Sequence, residues 1–409
     1  MKTYCKPATT DVENAEFISP AVHCAFIGKL RKRSFQRLLI STGKISKKQL
    51  DEDLEVQNMT RIIAAIDAVA EQMADRIRSR NLQLPPVRQF TRIDGLSGKT
   101  RNLCQESAEQ QVLEYIVKFA LDPLFRAKIL PCQCGSIPGK GQMGAMRQIQ
   151  RMMRRTHQTG QMVAIQCDVR QAYPSTRVDM IMGLLHRDIG KNKTLLWLVE
   201  AVMSNYPNGC LLIGGFLSAW LFNYVMSYVI RHLTAQAKIR RGKRLPMVCG
   251  IVSYADDFVA FGHASNLERA IKRTSRWASG TLGLEIKAAW RVIRLASFDD
   301  EKRMKALRGD GSCHRTPGVD MVGFVVRPTY TIVRKRIFKR IRRQVIRASR
   351  NLDQLGYVPW WRAQKIIAGW GWLKASDSRK FCKKYRINQI LKASRASVSW
   401  HTRIGAAYA

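Results

Sequence analysis

The chain has 409 residues, of which 46% are hydrophobic, so it can build two or three packed regions and is not a disordered tail. Its 70 Lys and Arg residues outnumber 30 Asp and Glu residues, which gives a formal net charge of +40. This balance predicts a polyanionic partner and leaves a nucleic-acid enzyme and a nucleic-acid binder both open. No apolar run reaches the roughly 18 residues of a membrane span. The ten cysteines follow no regular spacing, which predicts a reducing, cytoplasmic setting.

The first part of the chain is predicted to be mainly helical, up to about residue 85. Apolar residues recur at helical spacing between residues 54 and 82. Pro85-Pro86 ends this pattern, and residues 87–103 are typical of a two-stranded hairpin with basic residues on both arms. The elements predicted next are a helix over 107–125, a glycine-bearing loop over 136–142 and a basic helix over 147–155.

The second part is predicted to alternate short strands with helices. Residues 162–169 form a short apolar strand that ends in acid. Residues 248–252 and 258–261 are apolar and flank Tyr254-Ala-Asp-Asp257, which is the pattern of a hairpin with an acidic tip. From Arg334 onward the chain is basic and helical. The other predicted elements are helices over 195–203, 218–233 and 266–277 and strands over 284–286 and 321–326.

Three aspartates in apolar surroundings are the candidate catalytic groups. Asp256 and Asp257 interrupt an apolar segment, and Asp168 ends another apolar strand. Adjacent carboxylates are costly in such a setting unless a cation neutralises them. Carboxylates converging from two strands suit two Mg²⁺ ions, and Mn²⁺ accepts the same oxygen ligands. Such a pair of ions can support nucleotidyl transfer, whereas a solvated turn is the plain alternative for an Asp-Asp pair alone.

Several blocks resemble those of reverse transcriptases and occur in the same order. Cys167-Asp-Val-Arg-Gln-Ala-Tyr-Pro-Ser175 resembles the first catalytic block, and Tyr254-Ala-Asp-Asp257 resembles the Y-x-D-D hairpin. Ile213-Gly-Gly-Phe-Leu-Ser-Ala-Trp-Leu-Phe-Asn223 resembles the block usually read Q-G-x-x-x-S-P-x-x-x-N. The resemblance covers roughly residues 85–375. It also includes the fingers hairpin over 92–101, Leu282-Gly-Leu284, the primer-gripping hairpin at Val322-Gly-Phe324, and Gly369-Trp-Gly-Trp372, which is similar to a region of bacterial retroelement polymerases.

This resemblance implies an α+β fold shaped as a right hand. It would consist of fingers, a palm built on an antiparallel sheet, and a helical thumb, preceded by a helical N-terminal extension. The implied boundaries are 1–85 for the extension, 86–160 for the fingers, 161–330 for the palm with interleaved fingers segments, and 331–409 for the thumb and tail.

The resemblance also implies a role for individual residues. Asp168, Asp256 and Asp257 would be catalytic and would hold both metal ions together with the Val169 carbonyl. Tyr173 stands where the family has an aromatic gate against the ribose 2′-hydroxyl, which implies deoxynucleotide substrates; simple packing is the alternative. The deoxynucleotide site would be completed by Arg92, Lys99, Arg101, Val169, Ile213, Gly214 and Ser218. The primer and the RNA–DNA duplex would be contacted by Tyr254, Gly323, Arg334 and Arg336.

Two departures from the family pattern matter, one at Ile213 and one at Trp290. Ile213 replaces the usual Gln, as in diversity-generating retroelement polymerases, which are error-prone at template adenines. Those enzymes usually follow the serine with Gln, where this chain has Ala219. The lysine expected to donate a proton to pyrophosphate falls on Trp290, and Lys287 and Arg291 are the nearby substitutes.

The function implied is an RNA-directed DNA polymerase that copies a noncoding RNA into cDNA. Two uses stay open: mutagenic retrohoming in a diversity-generating retroelement, and antiphage defence. A noncatalytic, maturase-like RNA chaperone and an RNA-dependent RNA polymerase are alternatives. The three intact acids argue against the chaperone, and Tyr173 argues against the RNA-dependent RNA polymerase. A small accessory protein and an oligomeric state also stay open.

Overall fold

A computed structural model describes residues 4–93, 98, 100–157, 162–295 and 317–407. Lys99 and the first four residues of the predicted hairpin turn, which spans Asp94 to Gly98, lie outside these residues. The fold combines helices with small antiparallel sheets, which confirms the α+β prediction at that level. The chain forms two compact units. Unit 1 comprises Met1–Ser136, Asp168–Leu233 and Ile271–Ala288, and unit 2 comprises Ile137–Cys167, Thr234–Ala270 and Ala289–Ala409.

The N-terminal part of unit 1 is helical, as predicted. Gln57 adopts a left-handed backbone (φ 56°) that ends one helix, so the residues predicted as one periodic run over 54–82 belong to two helices. The second of these buries most of the predicted apolar positions, including Ile66, Val69 and Met73, whereas Ile63 is exposed. The helices are α1 (Ala15–Phe26), α2 (Arg33–Ile40), α3 (Lys47–Val56) and α4 (Thr60–Arg78).

The predicted hairpin follows as strands β1 (Arg88–Ile93) and β2 (Thr100–Gln105). The helix predicted over 107–125 is instead two helices, α5 (Ala108–Ala120) and α6 (Asp122–Lys128). Pro123 lies in the first turn of α6, where its missing N–H costs nothing, but it could not continue α5.

The rest of unit 1 is centred on an apolar helix. This helix, α11 (Phe216–Ala235), buries residues around most of its circumference, including Leu221, Phe222 and Val229, which is typical of a core helix. The helices that precede it are α8 (Ala172–Ser175), α9 (Val178–Ile189) and α10 (Lys193–Met203). Helix α12 (Ala264–Leu282) has residues in both units.

A four-stranded sheet lies in unit 2, apart from the terminal Asp168 of one strand, which the contacts assign to unit 1. Its order is β6-β7-β3-β8, where β3 is Met162–Asp168, β6 is Gly250–Tyr254, β7 is Asp257–His263 and β8 is Arg291–Arg294. Helix α7 (Gly141–His157) packs against β6. The sequence did not predict the exposed hairpin of β4 (Ala237–Arg240) and β5 (Lys243–Pro246), and the strand predicted over 284–286 is a single bridge between Ile286 and Val169.

The C-terminal part of unit 2 is a small sheet followed by basic helices. The strand predicted over 321–326 is two strands, because Val322 (φ 49°) and Gly323 (φ 83°) turn the chain between them. The strands are β9 (Val319–Met321), β10 (Phe324–Val326) and β11 (Thr331–Val333), and the helices are α13 (Lys335–Leu355), α14 (Trp360–Lys374), α15 (Arg379–Lys384) and α16 (Ile387–Ala407). Ile341, Val345 and Ile390 belong to the core that these helices share. No helix in the described ranges is long and apolar enough to cross a membrane.

Candidate active site

The Tyr254-Ala-Asp-Asp257 segment forms the tip of a tight hairpin in unit 2. Tyr254 ends β6 and pairs with Asp257, which begins β7, so Ala255 and Asp256 alone make the turn. Ala255 has a left-handed backbone (φ 52°), a conformation that two-residue hairpin loops use. The flanking strands are buried, whereas Tyr254 and both aspartates are half-buried. The prediction of a hairpin with an acidic tip is confirmed.

Strand β3 carries Asp168 as its last residue. The strand is buried over Val163–Ile165 and at Cys167, and it lies between β7 and β8 in the sheet. The Asp168 side chain is 35% exposed and forms an ion pair with the Lys287 ammonium. Lys287 was expected only as a possible proton donor. Its pairing with Asp168 was not predicted, because 119 residues separate Lys287 from Asp168.

The backbone beside Asp168 turns the Val169 carbonyl away from its bridge partner. Val169 and Ile286 form an isolated antiparallel bridge. The hydrogen bonds around it join the neighbouring residues: Lys287 N–H donates to the Asp168 carbonyl (3.0 Å) and Arg170 N–H donates to the Glu285 carbonyl (2.8 Å). In this type of antiparallel pair the enclosed residues do not bond to each other. The Val169 carbonyl therefore faces away from Ile286, as a role in metal binding requires.

Tyr173 lies on α8, directly after the chain leaves β3. Gln171 has a left-handed backbone (φ 45°) that redirects the chain at this point. The Tyr173 ring stacks on Phe222 of α11, with the ring centroids 5.2 Å apart and the planes 24° apart. Tyr173 remains half-buried. The stack on Phe222 fits the interpretation of Tyr173 as a packing residue. Its role as a gate against the ribose 2′-hydroxyl stays a prediction.

The loop over residues 212–215 leads into α11, and the Ser218 side chain of that helix closes it. Ser218 is fully buried, and its hydroxyl accepts the Leu212 N–H at 3.0 Å. The Ile213 carbonyl accepts the N–H of Cys104 in β2 at 3.0 Å. Gly214 has a φ of 106°, and a Cβ there would lie 3.3 Å from the Cys104 carbonyl. The backbone conformation at position 214 therefore requires glycine. Because Ser218 is buried, it can affect a nucleotide only by shaping the loop that its hydroxyl closes.

Two buried glutamates, which the sequence did not indicate, support this loop in unit 1. Glu114 of α5 is fully buried. Its carboxylate accepts the Leu217 N–H at 3.0 Å and the Tyr206 hydroxyl at 2.8 Å. Glu106 Oε1 is buried without a hydrogen-bond partner among the described residues. A Cβ on Gly215 would lie 2.8 Å from the Ser218 hydroxyl oxygen and 3.0 Å from that carboxyl oxygen, so the glycine lets the loop pack closely against both side chains.

The pKa values of both carboxyl groups are raised. Burial, and after it the charge of Glu106, raises the pKa of Glu114 to about 7. Burial also raises the pKa of Glu106, against the opposing effects of its own backbone amide and the Lys29 ammonium. The Leu217 N–H belongs to the first turn of α11, where backbone donors favour an anionic acceptor. Glu114 therefore fixes the start of α11 and, with it, the loop over residues 212–215.

The β1–β2 hairpin presents a cross-strand pair of cations and a third cation nearby. Arg92 and Arg101 are direct cross-strand partners, and Arg88 lies on the same face of β1 because side chains alternate. All three are exposed. Like charges directly opposite destabilise a strand pair, whereas a polyphosphate bound by both would remove that repulsion.

The β9–β10 hairpin contains the predicted primer contact Gly323. A Cβ at Gly323 would lie 2.5 Å from the Trp372 ring, so the glycine allows the hairpin to approach α14. The Arg334 N–H donates to the Gly323 carbonyl at 2.8 Å, and its side chain forms an ion pair with Asp320 at 2.6 Å. Asp320 thus partly neutralises Arg334, and the exposed Arg336 is the more available cation.

The predicted metal ligands fit Mg²⁺ in kind, since all are carboxylate or carbonyl oxygens. In the ranges that the structure covers, no group of three or more His, Cys, Asp or Glu side chains is close enough to hold a metal ion. Asp168 has the Lys287 ammonium as its cation instead.

Comparison with protein-family models finds no match to this chain. Comparison with curated proteins finds no similar sequence.

Proposed function

We propose that this chain is an RNA-directed DNA polymerase that copies a noncoding RNA into cDNA by nucleotidyl transfer. The observation that carries the proposal is the tight β6–β7 hairpin with Asp256 and Asp257 at its tip, in the same sheet as β3, which ends at Asp168. Half-buried acids at strand ends serve ligand binding better than they serve core packing, because core positions are normally apolar.

The proposed metal ligands are Asp168, Asp256, Asp257 and the Val169 carbonyl. When bound there, Mg²⁺ or Mn²⁺ would activate the primer 3′-hydroxyl and neutralise charge on the leaving pyrophosphate. The Arg92 and Arg101 guanidinium groups would hold the triphosphate, since arginine binds phosphate in bidentate fashion. The Tyr173 ring, held by Phe222, would exclude the ribose 2′-hydroxyl.

Of the two substitutes for the missing proton donor, Lys287 is favoured over Arg291. Its ammonium lies at the Asp168 carboxylate, which is the predicted catalytic group. An ammonium can release a proton to pyrophosphate, whereas a guanidinium stays protonated in proteins.

Primer extension on an RNA template with Mg²⁺ tests the proposal. The wild type should extend the primer with deoxynucleotides and much more weakly with ribonucleotides, whereas Asp256→Ala plus Asp257→Ala should extend with neither. Asp353→Ala, which removes an exposed acid paired with Arg386, is the matched control and should keep full activity. Equal extension by the double variant and the wild type would exclude the enzyme and leave the RNA-chaperone alternative.

Sequencing the product resolves the biological use. Errors concentrated opposite template adenines would support mutagenic copying, in which the apolar Ile213 relaxes selection of the incoming nucleotide. Uniformly faithful cDNA would favour the defence use.

A further inference from the structure

Helix α14 carries four tryptophans in two different surroundings. Trp370 and Trp372 pack against the helical core of unit 2. Trp360 and Trp361, in the first turn, are 38% and 51% exposed. Large aromatic side chains stabilise the fold when buried, so exposed ones in a cluster indicate a binding surface.

The end of α16 lies beside this exposed pair. The Trp360 ring contacts the His401 ring with centroids 4.1 Å apart. The neighbouring Trp400 is 66% exposed, the largest exposure among the described aromatic residues. Two helices therefore contribute indole rings to one end of the helical core, and we call Trp360, Trp361 and Trp400 the tryptophan surface.

Cations accompany these rings. The Arg362 guanidinium lies 4.4 Å from the Trp361 ring centroid, and the Lys365 ammonium lies 5.6 Å from it. Both distances are within the range of cation–π attraction. Flat aromatic faces next to phosphate-binding cations are the combination that proteins use to bind unpaired nucleotides.

Arg362 is a buried cation without an acidic partner in the described parts of the chain. It is 8% exposed, one guanidinium nitrogen donates to Gln344 Oε1 at 3.2 Å, and its buried Nε has no hydrogen-bond partner. Burial lowers its pKa, and the Arg347 charge lowers it further. A desolvated positive charge beside another cation is costly, and the charge of a phosphate bound at the surface nearby would offset part of that cost.

The charge of the whole region favours the same ligand. From Arg334 to Ala409 there are 20 Lys and Arg residues and two acids. Both acids are already used: Asp353 pairs with Arg386 at 2.7 Å, and Asp377 accepts the Thr331 N–H at 2.8 Å. A duplex would satisfy the cations but would hide its base faces from the indole rings, whereas a single strand satisfies both.

We infer that the tryptophan surface, together with the exposed Lys365 and Arg347, binds single-stranded nucleic acid. Unpaired bases stack on the indole rings, and the phosphates between them contact the basic groups. This site is separate from the proposed polymerase residues and would exist even if the chain had no polymerase activity.

Fluorescence anisotropy with labelled strands tests the inference on the full chain. The probes are oligoadenylate of about 12 nucleotides, an abasic strand of equal length and an RNA duplex. For Trp361→Ala plus Trp400→Ala, affinity for oligoadenylate should fall about thirtyfold or more, since two stacked bases are lost and each contributes at least about 1 kcal/mol. Affinity for the abasic strand and the duplex should stay unchanged. The DNA version of the oligonucleotide should behave as the RNA does, because stacking uses the base.

Two further variants complete the experiment: a control tryptophan in unit 1 and a cation beside the tryptophan surface. Trp197→Ala removes an indole that also lies under a guanidinium, that of Arg80 at 4.4 Å, but belongs to unit 1; it should leave oligoadenylate binding unchanged. Lys365→Ala should weaken all three probes and reduce the salt dependence for the single strands by about 0.7 in log–log slope.

The inference is overturned if the double tryptophan variant, folded by circular dichroism, binds oligoadenylate as tightly as the wild type. It is also overturned if that variant loses abasic and duplex binding equally, since the rings would then act without stacking. Binding of a protein partner alone by this surface would give the first of these outcomes.

Discussion

Two groups of acids in this basic chain occupy opposite surroundings. Asp168, Asp256 and Asp257 lie at the ends of buried strands and are themselves half-buried. Glu114 and Glu106 are buried beside the loop over residues 212–215, where Glu114 accepts a backbone N–H and a tyrosine hydroxyl. The difference separates two tasks: the aspartates can reach a ligand, whereas the glutamates hold the backbone that would contact one.

The two kinds of acid should respond differently to removal of their charge. If the comparison is right, changing a strand-end acid affects activity with little change in stability, and changing a buried acid affects stability first. Each group has a neighbouring acid that serves as its control.

The largest expected effect is on activity, from Asp168→Asn. Primer extension should fall about a hundredfold to a thousandfold, the scale of removing one preorganised electrostatic group. The free energy of unfolding should change by less than about 1 kcal/mol, because the ion pair with Lys287 is 35% and 45% exposed. Glu285→Gln is the control: it removes an acid from an exposed ion pair with Arg170, on the same bridge, and should keep activity. Equal activity loss in both variants would contradict a catalytic role for Asp168.

A smaller effect, on stability, is expected from Glu114→Ala. The change leaves the Leu217 N–H and the Tyr206 hydroxyl without their acceptor, and each buried unsatisfied donor costs about 1–3 kcal/mol. Thermal or urea unfolding should show a loss of about 3 kcal/mol. Glu109→Ala, on the same helix, removes a partly exposed acid paired with Arg76 and should cost less than about 1 kcal/mol. Similar losses in both variants would show that the burial of Glu114 has no special consequence.

The strand-end acids could be predicted from sequence, whereas the buried ones could not. Contiguous apolar residues around Tyr254-Ala-Asp-Asp257 indicate strands, and two residues suffice to turn between them. Glu114 occurs in an ordinary amphipathic helix, and only the packing of α11 against it shows that it is enclosed. The apolar pattern over 321–326 predicted one strand without the turn at Val322-Gly323, because a branched residue rarely adopts a positive φ. Only the resemblance indicated a hairpin at this position. The Lys287–Asp168 pair was missed because no local pattern links residues so far apart.

The smallest expected effect is a pH dependence of stability that belongs to the buried acids. The pKa of Glu114 is raised from 4.5 to about 7 in the folded state, so between these values the folded chain keeps a proton that the unfolded chain has lost. Stability should therefore fall as pH rises through this window, by at most about 1.4 kcal/mol per pH unit for one proton, and level off above it.

The comparison of Glu114→Gln with the wild type isolates the contribution of Glu114 to the pH dependence of stability. The groups that face Glu114 are Glu106, Tyr206, Gln110 and the Leu217 N–H, and Glu106 titrates in the same direction because burial also raises its pKa. Glutamine keeps an acceptor for Leu217 and cannot ionise, so urea unfolding of this variant between about pH 5 and 8 should show a flatter fall in stability. The difference between the two curves measures the proton held by Glu114. Parallel curves would mean that Glu114 is ionised throughout, and its carboxylate would then be a permanent anion at the start of α11.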